Sequence, residues 1–218
     1  MKKAILFING EINLPFCQSY IKRYYNDLPI YCADGAFNKI KVSSTICKKL
    51  GLIIGDGDSI EQAHKTHVPY QLYYDQNTTD FEKALLWLID NQFQEVIIFG
   101  FGGGEMDHYL GNISSALAYK AQIKMTMIDV YGISYFLTAR THLKKVRGKM
   151  ISIVPLFELH ELTLKGFAFD LDHETLKFSN KIGTRNHAIC EEVFIDYKQG
   201  EGIIFISHQN YHQFISEK

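Results

Sequence analysis

Two aspartates stand two residues apart in the segment Gly55-Asp56-Gly57-Asp58-Ser59, directly after a short apolar run. Carboxylates at this spacing repel each other unless a cation joins them, and the glycines let the backbone turn both side chains toward one point. Hard oxygen ligands of this kind suit Mg²⁺, which bridges substrate phosphates. The segment predicts a magnesium site at Asp56 and Asp58, although a solvated Asp-Gly turn is the alternative.

A third aspartate follows in the segment Asp75-Gln76-Asn77-Thr78-Thr79-Asp80, which leads into a predicted helix. Asp80 stands in the first helical turn, where the helix dipole favours an anion, so a purely stabilising role is possible. The position of Asp80 nevertheless favours a role as a metal ligand, because its segment follows another predicted strand and lies at the same sheet edge as Asp56 and Asp58.

A glycine-rich segment, Gly100-Phe101-Gly102-Gly103-Gly104-Glu105-Met106-Asp107-His108, follows a further apolar run. Three consecutive glycines before a helix leave backbone N–H groups exposed, which is how proteins cradle phosphates. The alternative is a flexible turn with Asp107 as the helix N-cap. The segment matches neither the Walker loop nor the dinucleotide-binding fingerprint.

Another Asp-Gly pair lies at a strand end in Ala33-Asp34-Gly35-Ala36. No serine or cysteine stands beside a local base, which argues against nucleophilic catalysis. Three carboxylates and a glycine cradle on one sheet edge instead suit metal-assisted chemistry on a polyphosphate. These residues do not by themselves identify the group that accepts the phosphate.

Short apolar runs alternate with helical patterns through the first two-thirds of the chain, which predicts a doubly wound, mostly parallel α/β sheet. The predicted strands are Ala4–Ile8, Ile30–Ala33, Leu52–Ile54, Gln71–Tyr74, Glu95–Phe99 and Lys124–Asp129. The clearest helix is Thr79–Asn91, which opens on a capping box formed by Thr79 and Glu82. A second helix begins near Asp107.

The pattern changes across a polar break at residues 138–148, and only short β segments follow it. These segments are Met150–Val154, Leu159–Leu164, Ala188–Tyr197 and Gly202–Ser207. We therefore predict an α/β domain over residues 1–140 and a smaller all-β sandwich over residues 141–218.

Composition excludes several classes of protein. The 23 basic and 24 acidic residues nearly balance, and without a basic stripe we expect no nucleic-acid partner. No apolar run approaches the length of a membrane span, and the first run is too short for a secretory signal. The four cysteines form no CxxC pair. These features predict a cytoplasmic protein with no membrane partner.

The order of these motifs resembles that of the thiamine pyrophosphokinases. The matching residues run from Asp34-Gly35-Ala36 through Gly55-Asp56-Gly57-Asp58-Ser59 and Thr79-Asp80-Phe81 to Gly103-Gly104, Asp107-His108 and Asn112. The resemblance implies transfer of a pyrophosphoryl group from ATP to thiamine, giving thiamine diphosphate and AMP. It also implies a homodimer in which each thiamine site is shared between an α/β domain and the partner's sandwich.

The resemblance further implies a role for each matching residue. Asp56, Asp58 and Asp80 are implied to be catalytic and to hold Mg²⁺. ATP is implied to bind at Asp34, Gln76, Thr79, Gly102, Gly103, Gly104, Asp107 and His108. Thiamine is implied to contact Asn112, Arg185 and Asn186, with Gly183-Thr184-Arg185-Asn186 in place of the family's Gly-x-Ser-Asn motif. Ser179-Asn180 is an alternative placement of that motif.

Four positions depart from the family pattern. Glu105 stands where the family usually has arginine, and Asn77 replaces an aspartate found in many members. Arg185 replaces a serine, and the single tryptophan, Trp87, lies on an N-terminal helix rather than in the sandwich. We expect Glu105 to face solvent, with Arg185 or Lys83 supplying the phosphate-binding cation.

Two other functions are compatible with the same carboxylates. A metal-dependent phosphohydrolase would use water as the acceptor, but the first strand ends in Asn9-Gly10 and lacks the Asp-x-Asp motif common in such enzymes. A catalytically weak dimer that only binds thiamine or nucleotide would be consistent with Glu105 and Asn77.

Overall fold

The computed structural model of the chain describes residues 1–58 and 67–211, so Ser59 of the predicted metal segment lies outside the described residues. Contacts between Cα atoms divide the chain into two units, Met1–Val130 and Tyr131–Lys218. The sequence placed this division later, after residue 140. The structure divides the chain earlier because the strand Gly132–Phe136 pairs with the strand Gln199–Asn210 near the end of the chain.

The first unit alternates strands and helices. Its elements are β1 Lys3–Phe7, α1 Leu14–Tyr24, β2 Ile30–Ala33, α2 Asp34–Ile40, α3 Ser44–Cys47, β3 Leu50–Gly55, β4 Tyr70–Leu72, α4 Asp80–Asp90, β5 Glu95–Phe99, α5 Met106–Tyr119 and β6 Lys124–Ile128. The described strands pair in parallel in the order β4-β3-β2-β1-β5-β6, which confirms an α/β unit with a parallel sheet. None of the described helices combines the length and apolar character that crossing a membrane requires.

The central strands β1 and β5 are buried along almost their whole length, as their continuous apolar sequences predict. The side chains of Ala4 to Phe7 are fully buried, and those of Val96 to Phe99 are nearly so. Glu95, the one charged residue of β5, forms an ion pair with Lys3, whose Nζ lies 2.7 Å from Glu95 Oε2. Burial of this carboxylate is therefore compensated by a cation from the neighbouring strand.

The strand order reverses at β1. From β1 the chain adds β2, β3 and β4 on one side of the sheet, and then β5 and β6 on the other. In open parallel sheets the loops at the carboxyl ends of the strands separate at such a point and leave a crevice. The sequence motifs predicted to carry chemistry follow β2, β3 and β5, so the topology brings them to one edge.

The second unit is built from antiparallel strands in the described residues. They are β7 Gly132–Phe136, β8 Arg140–Lys144, β9 Lys149–Lys165, β10 Leu171–Lys177, β11 Gly183–His187, β12 Glu192–Asp196 and β13 Gln199–Asn210. Strand β9 pairs with β10, β11, β12 and β13, so it organises the unit. A core that includes Ile151, Leu159, Phe167 and Ile204 packs between these strands.

Two details of the predicted β region are wrong. The segments Met150–Val154 and Leu159–Leu164 belong to the single strand β9. Pro155 lies between them, but it sits at a register shift opposite Gly202, where a proline does not interrupt the ladder. The segment Ala188–Tyr197 is not one strand, because Ala188 makes an isolated bridge to Phe167 and only Glu192–Asp196 forms a strand, β12.

Candidate active site

Loops from four neighbouring parallel strands line one cleft of about 530 Å³ in the first unit. Asn9 and Gly10 follow β1, Gly35 follows β2, Asp56 and Asp58 follow β3, and Gly103 and Gly104 follow β5. The start of α4 contributes Thr79, Asp80 and Lys83, and α5 contributes Asp107, His108 and Asn112. The cleft therefore lies at the point where the strand order reverses, on the carboxyl edge of the sheet where the sequence motifs were expected to lie.

Three carboxylates converge at the end of β3. Oxygens of Asp34, Asp56 and Asp58 lie within 4.8 Å of one another. Asp34 is fully buried and accepts a hydrogen bond from the Gly57 amide at 2.8 Å. A side chain at Gly55 would collide with Asp34, since an added Cβ would lie 2.4 Å from the Asp34 Cβ. Glycine at this position is what allows the aspartates to approach each other.

Asp34 was predicted to contact ATP, but the structure places it with the metal candidates. Its carboxylate joins those of Asp56 and Asp58, whereas Asp80 forms an ion pair with Lys83 at 3.1 Å. Tyr70 also lies against this group. The pKa of its hydroxyl is raised by burial first and then by the nearby carboxylate of Asp34.

The buried ammonium of Lys83 joins two of the carboxylates. Its Nζ lies 2.8 Å from Asp56 Oδ2 and 3.1 Å from Asp80 Oδ1. Burial lowers the pKa of Lys83, but the bonds to the two aspartates outweigh it and the pKa is raised. The hydrogen bond from Lys83 lowers the pKa of Asp56, whereas burial raises that of Asp80 more than Lys83 lowers it. The two carboxylates therefore differ in basicity.

The cap of α4 fixes the position of Asp80 and Lys83. Thr79 is the N-cap, and it forms the predicted capping box with Glu82. Asp80 and Lys83 stand three residues apart, on neighbouring positions of the helix surface. Gln76, predicted to bind ATP, is exposed, and its side-chain amide lies 3.5 Å from Asp56 Oδ2.

The glycine loop is held by the end of β1. The Gly10 amide donates to Gly100 O at 2.7 Å, and the Glu11 amide donates to Gly102 O at 2.8 Å. Gly103 and Gly104 have φ of 77° and 76°, which favours glycine. Among the described residues, nothing would lie within 4 Å of a Cβ added at Gly104. The loop is thus anchored on one side and open on the other, as a phosphate cradle requires.

Helix α5 begins at Met106, and its N-cap is Glu105 rather than Asp107. Asp107 lies in the first turn, exposed, beside the exposed His108. Asn112 lines the cleft, and its side-chain amide donates to Phe101 O at 2.9 Å. Glu105 is exposed as expected, with 74% of its side chain accessible, and it lies 3.4 Å from the His108 ring.

The predicted thiamine residues Arg185 and Asn186 lie on β11 in the second unit. Asn186 is buried, and its side chain bonds both the N–H and the C=O of Phe169, at 3.1 and 2.8 Å. Arg185 is exposed, has a φ of 57°, and donates its amide to Ser152 Oγ at 2.8 Å. A register shift lies between Gly183 and Asn186. The motif thus shapes an irregular strand whose arginine side chain is accessible.

Several cleft residues were absent from the predicted set, among them Asn9, Gly10 and Lys39. The first two follow β1 directly, so the rule that ligands bind at the carboxyl ends of strands could have identified them. Lys39 stands in the last turn of α2 and forms part of no recognisable motif. Only the packing of α2 against the loop after β1 reveals it.

A parallel α/β unit with clustered carboxylates, a buried lysine and a glycine loop at its switch point defines a class of enzymes that act on phosphate esters or anhydrides. Comparison with known proteins narrows the class. Residues 22–127 match the family model for the catalytic domain of thiamin pyrophosphokinase. Residues 140–200 match the model for its vitamin B1 binding domain.

Relatives agree with these matches. The chain is 36% identical over 160 residues to the thiamine pyrophosphokinase of Bacillus subtilis, covering 67% of this chain and 73% of that protein. A crystal structure of thiamine pyrophosphokinase from the same species has a TM-score of 0.74 at 25% identity, covering 94% of this chain and 99% of that one. The Candida albicans enzyme shares the fold, with a TM-score of 0.80 at 15% identity, covering 94% and 88%.

The chain therefore belongs to the thiamine pyrophosphokinase family. The family's function is ATP-dependent transfer of a pyrophosphoryl group to thiamine, so the resemblance identified from the sequence motifs is confirmed.

Proposed function

We propose that the cleft of the first unit catalyses attack of the hydroxyethyl oxygen of thiamine on the β-phosphorus of ATP, giving thiamine diphosphate and AMP. The observation that carries this proposal is the convergence of Asp34, Asp56 and Asp58 with the buried Lys83 beside a glycine loop. Negative charges this close cost free energy unless a cation neutralises them.

The donor set fits Mg²⁺. Three carboxylates with oxygens within 4.8 Å of one another offer hard ligands on one side of an open cleft. Asp56 and Asp58 would hold the ion, with Asp34 as a third ligand, and Asp80 lies close enough for the charge of Asp56 to raise its pKa. When bound, Mg²⁺ supplies positive charge that neutralises the phosphate oxygens.

The protein's own groups position the phosphates. The backbone at Gly104 borders open space, and the amides of the loop through Gly103 and Gly104 would donate to phosphate oxygens. Lys83 lines the same cleft, where its ammonium holds the carboxylates of Asp56 and Asp80 in place. Of these two carboxylates, Asp80 is the stronger base because burial raises its pKa, so it is the better acceptor for the thiamine hydroxyl proton.

We also propose that the second unit binds thiamine and that the enzyme is a homodimer with shared sites. The family resemblance of residues 183–186 motivates the first part. The second is supported by large apolar side chains that the second unit leaves exposed, including Phe157 at 76% and Phe178 at 67%. In this proposal the first sheet is doubly wound, with helices on both faces, and the second unit is a sandwich.

A coupled assay of the purified protein tests the reaction. Release of AMP from ATP only when thiamine is present, with formation of thiamine diphosphate, is the expected result. Release of phosphate without thiamine would instead establish a phosphohydrolase. Binding of thiamine or nucleotide with no product would establish a protein that only binds its ligands.

Mixing two inactive variants tests the shared site. Subunits carrying Asp56→Asn and subunits carrying Arg185→Glu should each be inactive alone. After exchange, a mixed dimer should regain activity at one site, because that site receives an intact half from each subunit. No recovery, when light scattering shows that exchange has occurred, would contradict sharing.

A further inference from the structure

Lys39 is fixed at the mouth of the cleft. Its ammonium donates to the carbonyl oxygens of Asn9 at 2.5 Å and Gly10 at 2.9 Å, the two residues that follow β1. Gly10 is itself bonded to the glycine loop through Gly100 O. The backbone segment that anchors the glycine loop therefore also fixes the position of the Lys39 ammonium.

A lysine ammonium has three N–H donors, and two of those of Lys39 are occupied by carbonyls. Carbonyl oxygens carry only partial negative charge, so these two bonds do not neutralise the unit positive charge of Lys39, which the charge of Glu105 offsets only in part. In the part of the chain that the structure describes, no carboxylate forms an ion pair with it. The third donor remains for a ligand in the cleft.

The two lysines that line the cleft differ in whether carboxylates pair with them. The carboxylates that line it are Asp56, Asp58, Asp80, Glu105 and Asp107. Lys83 is matched by two of them at ion-pair distance. Lys39 is not matched, so among the described lysines of the cleft it is the one whose charge is available to a polyanion.

The titration behaviour of Lys39 agrees with this geometry. Burial lowers the pKa of its ammonium, and the negative charge of Glu105 opposes that effect. An anion bound in the cleft would act in the same direction as Glu105 and would stabilise the charged form further.

We propose that Lys39 binds the polyphosphate of ATP and acts as a determinant of affinity for the triphosphate. This inference rests on the proposed function, because it assumes that ATP occupies the cleft. Lys39 contacts substrate in this proposal, whereas the conversion itself depends on the carboxylates and Lys83. Its loss should therefore raise the KM for ATP more than it lowers kcat.

Steady-state kinetics of three variants of the full-length enzyme test the proposal. Lys39→Met should raise the KM for ATP about tenfold or more, the effect of one charged hydrogen bond, with kcat within about threefold. Lys39→Arg, which keeps the charge and the donors, should restore the KM to within about threefold. Lys41→Met is the matched control, since Lys41 lies two residues further along, bonds Asn38 and does not line the cleft. It should leave both constants unchanged.

Inhibition by AMP and thermal melting separate binding from a structural role. AMP has one phosphate, so its inhibition constant should change by less than about threefold in Lys39→Met. An unchanged KM for ATP would overturn the proposal, as would equal losses of ATP and AMP affinity with a lowered Tm and no recovery in Lys39→Arg. If the unaltered enzyme forms no AMP with thiamine, the proposed function fails, which is a result distinct from either of these.

Discussion

The acidic cluster of the first unit and the Gly183–Asn186 motif of the second both contain conspicuous polar residues, but they use them differently. In the first unit, Asp56 and Asp58 lie close to a third carboxylate, Asp34, and repel each other. In the second unit, Asn186 satisfies both polar groups of Phe169 and is itself buried. One arrangement opposes folding, and the other supports it.

This difference indicates how each region contributes. A ligand that neutralises their charge explains why like-charged groups lie close together despite their repulsion. Groups that are fully hydrogen-bonded within the protein are explained by the shape they impose on the chain. Substitutions of the clustered carboxylates should therefore affect turnover more than stability, and substitution of Asn186 should affect stability first.

The largest expected effect is on turnover. Asp56→Asn and Asp58→Asn should each slow kcat by about a thousandfold, on the order of 4 kcal/mol of transition-state stabilisation, because each removes a ligand charge from the proposed metal site. For Asp58, which is exposed, the Tm should be unchanged or higher, because a like charge has been removed. Turnover at saturating Mg²⁺ and thermal melting measure the two quantities.

Asp90→Asn is the matched control for these variants. Asp90 is an exposed carboxylate at the end of α4, away from the cleft-lining residues. It should leave kcat unchanged. Near-normal turnover in either Asp56→Asn or Asp58→Asn would remove the metal assignment.

The second effect concerns Lys83. Lys83→Met should lower the free energy of unfolding by about 3 kcal/mol in chelator, because it leaves Asp56 and Asp80 partly buried without their cation. Added Mg²⁺ should then raise the Tm of the variant more than that of the unaltered protein, since the cluster has gained net negative charge. Lys198→Met, which removes an ion pair with Glu161 that is exposed on both sides, should leave the free energy of unfolding almost unchanged. Equal losses in the two variants would contradict the role given to Lys83.

The third effect concerns Asn186, whose hydrogen bonds stabilise the second unit. Asn186→Ala should lower the free energy of unfolding by about 2 kcal/mol, because the N–H and C=O of Phe169 lose their partner. Thr184→Ala, at an exposed position of the same strand, should change it by less than about 0.5 kcal/mol. Urea denaturation measures both. A stable Asn186→Ala protein with impaired thiamine binding would show that Asn186 contacts the substrate directly.

Local signals in the sequence predicted much of the first unit. The apolar runs of β2 and β5 gave their bounds, and Thr79 with Glu82 gave the start of α4, because burial and capping depend on neighbouring residues. The sequence did not predict that Asp34 joins Asp56 and Asp58, or that Lys39 reaches the loop after β1. Those contacts depend on how β2 and α2 pack beside β1 and β3, which no local pattern encodes.

The second unit was less predictable for a related reason. Strand β9 continues through Pro155 because Gly200 and Gly202 on β13 accommodate a register shift opposite it. A proline in an apolar run normally argues against a continuous paired strand. Only the partner strand, more than forty residues later in the sequence, permits the exception.

The smallest expected effect is at Glu105, whose carboxylate lines a cleft assigned to phosphates. At about 4 Å and an effective dielectric of 20, repulsion between two unit charges is worth roughly 4 kcal/mol before screening. The side chain of Glu105 is 74% exposed and pairs with His108, which is itself 62% exposed, so water screens most of that repulsion. Its remaining influence falls on Lys39, whose charge it partly offsets in the absence of ATP.

Glu105→Ala should therefore leave kcat/KM for ATP within about threefold of the original value, and any change should be an increase, because Lys39 no longer shares its attraction with a carboxylate. Glu105→Gln, which keeps the size of the side chain, should behave in the same way if charge alone matters. A loss greater than about tenfold, or about 1.4 kcal/mol, in Glu105→Ala would mean that Glu105 takes part in the site. It would also show that the functional carboxylates of the first unit include one on the glycine loop. Side-chain exposure alone would then not distinguish the carboxylates that take part in the reaction from those that do not.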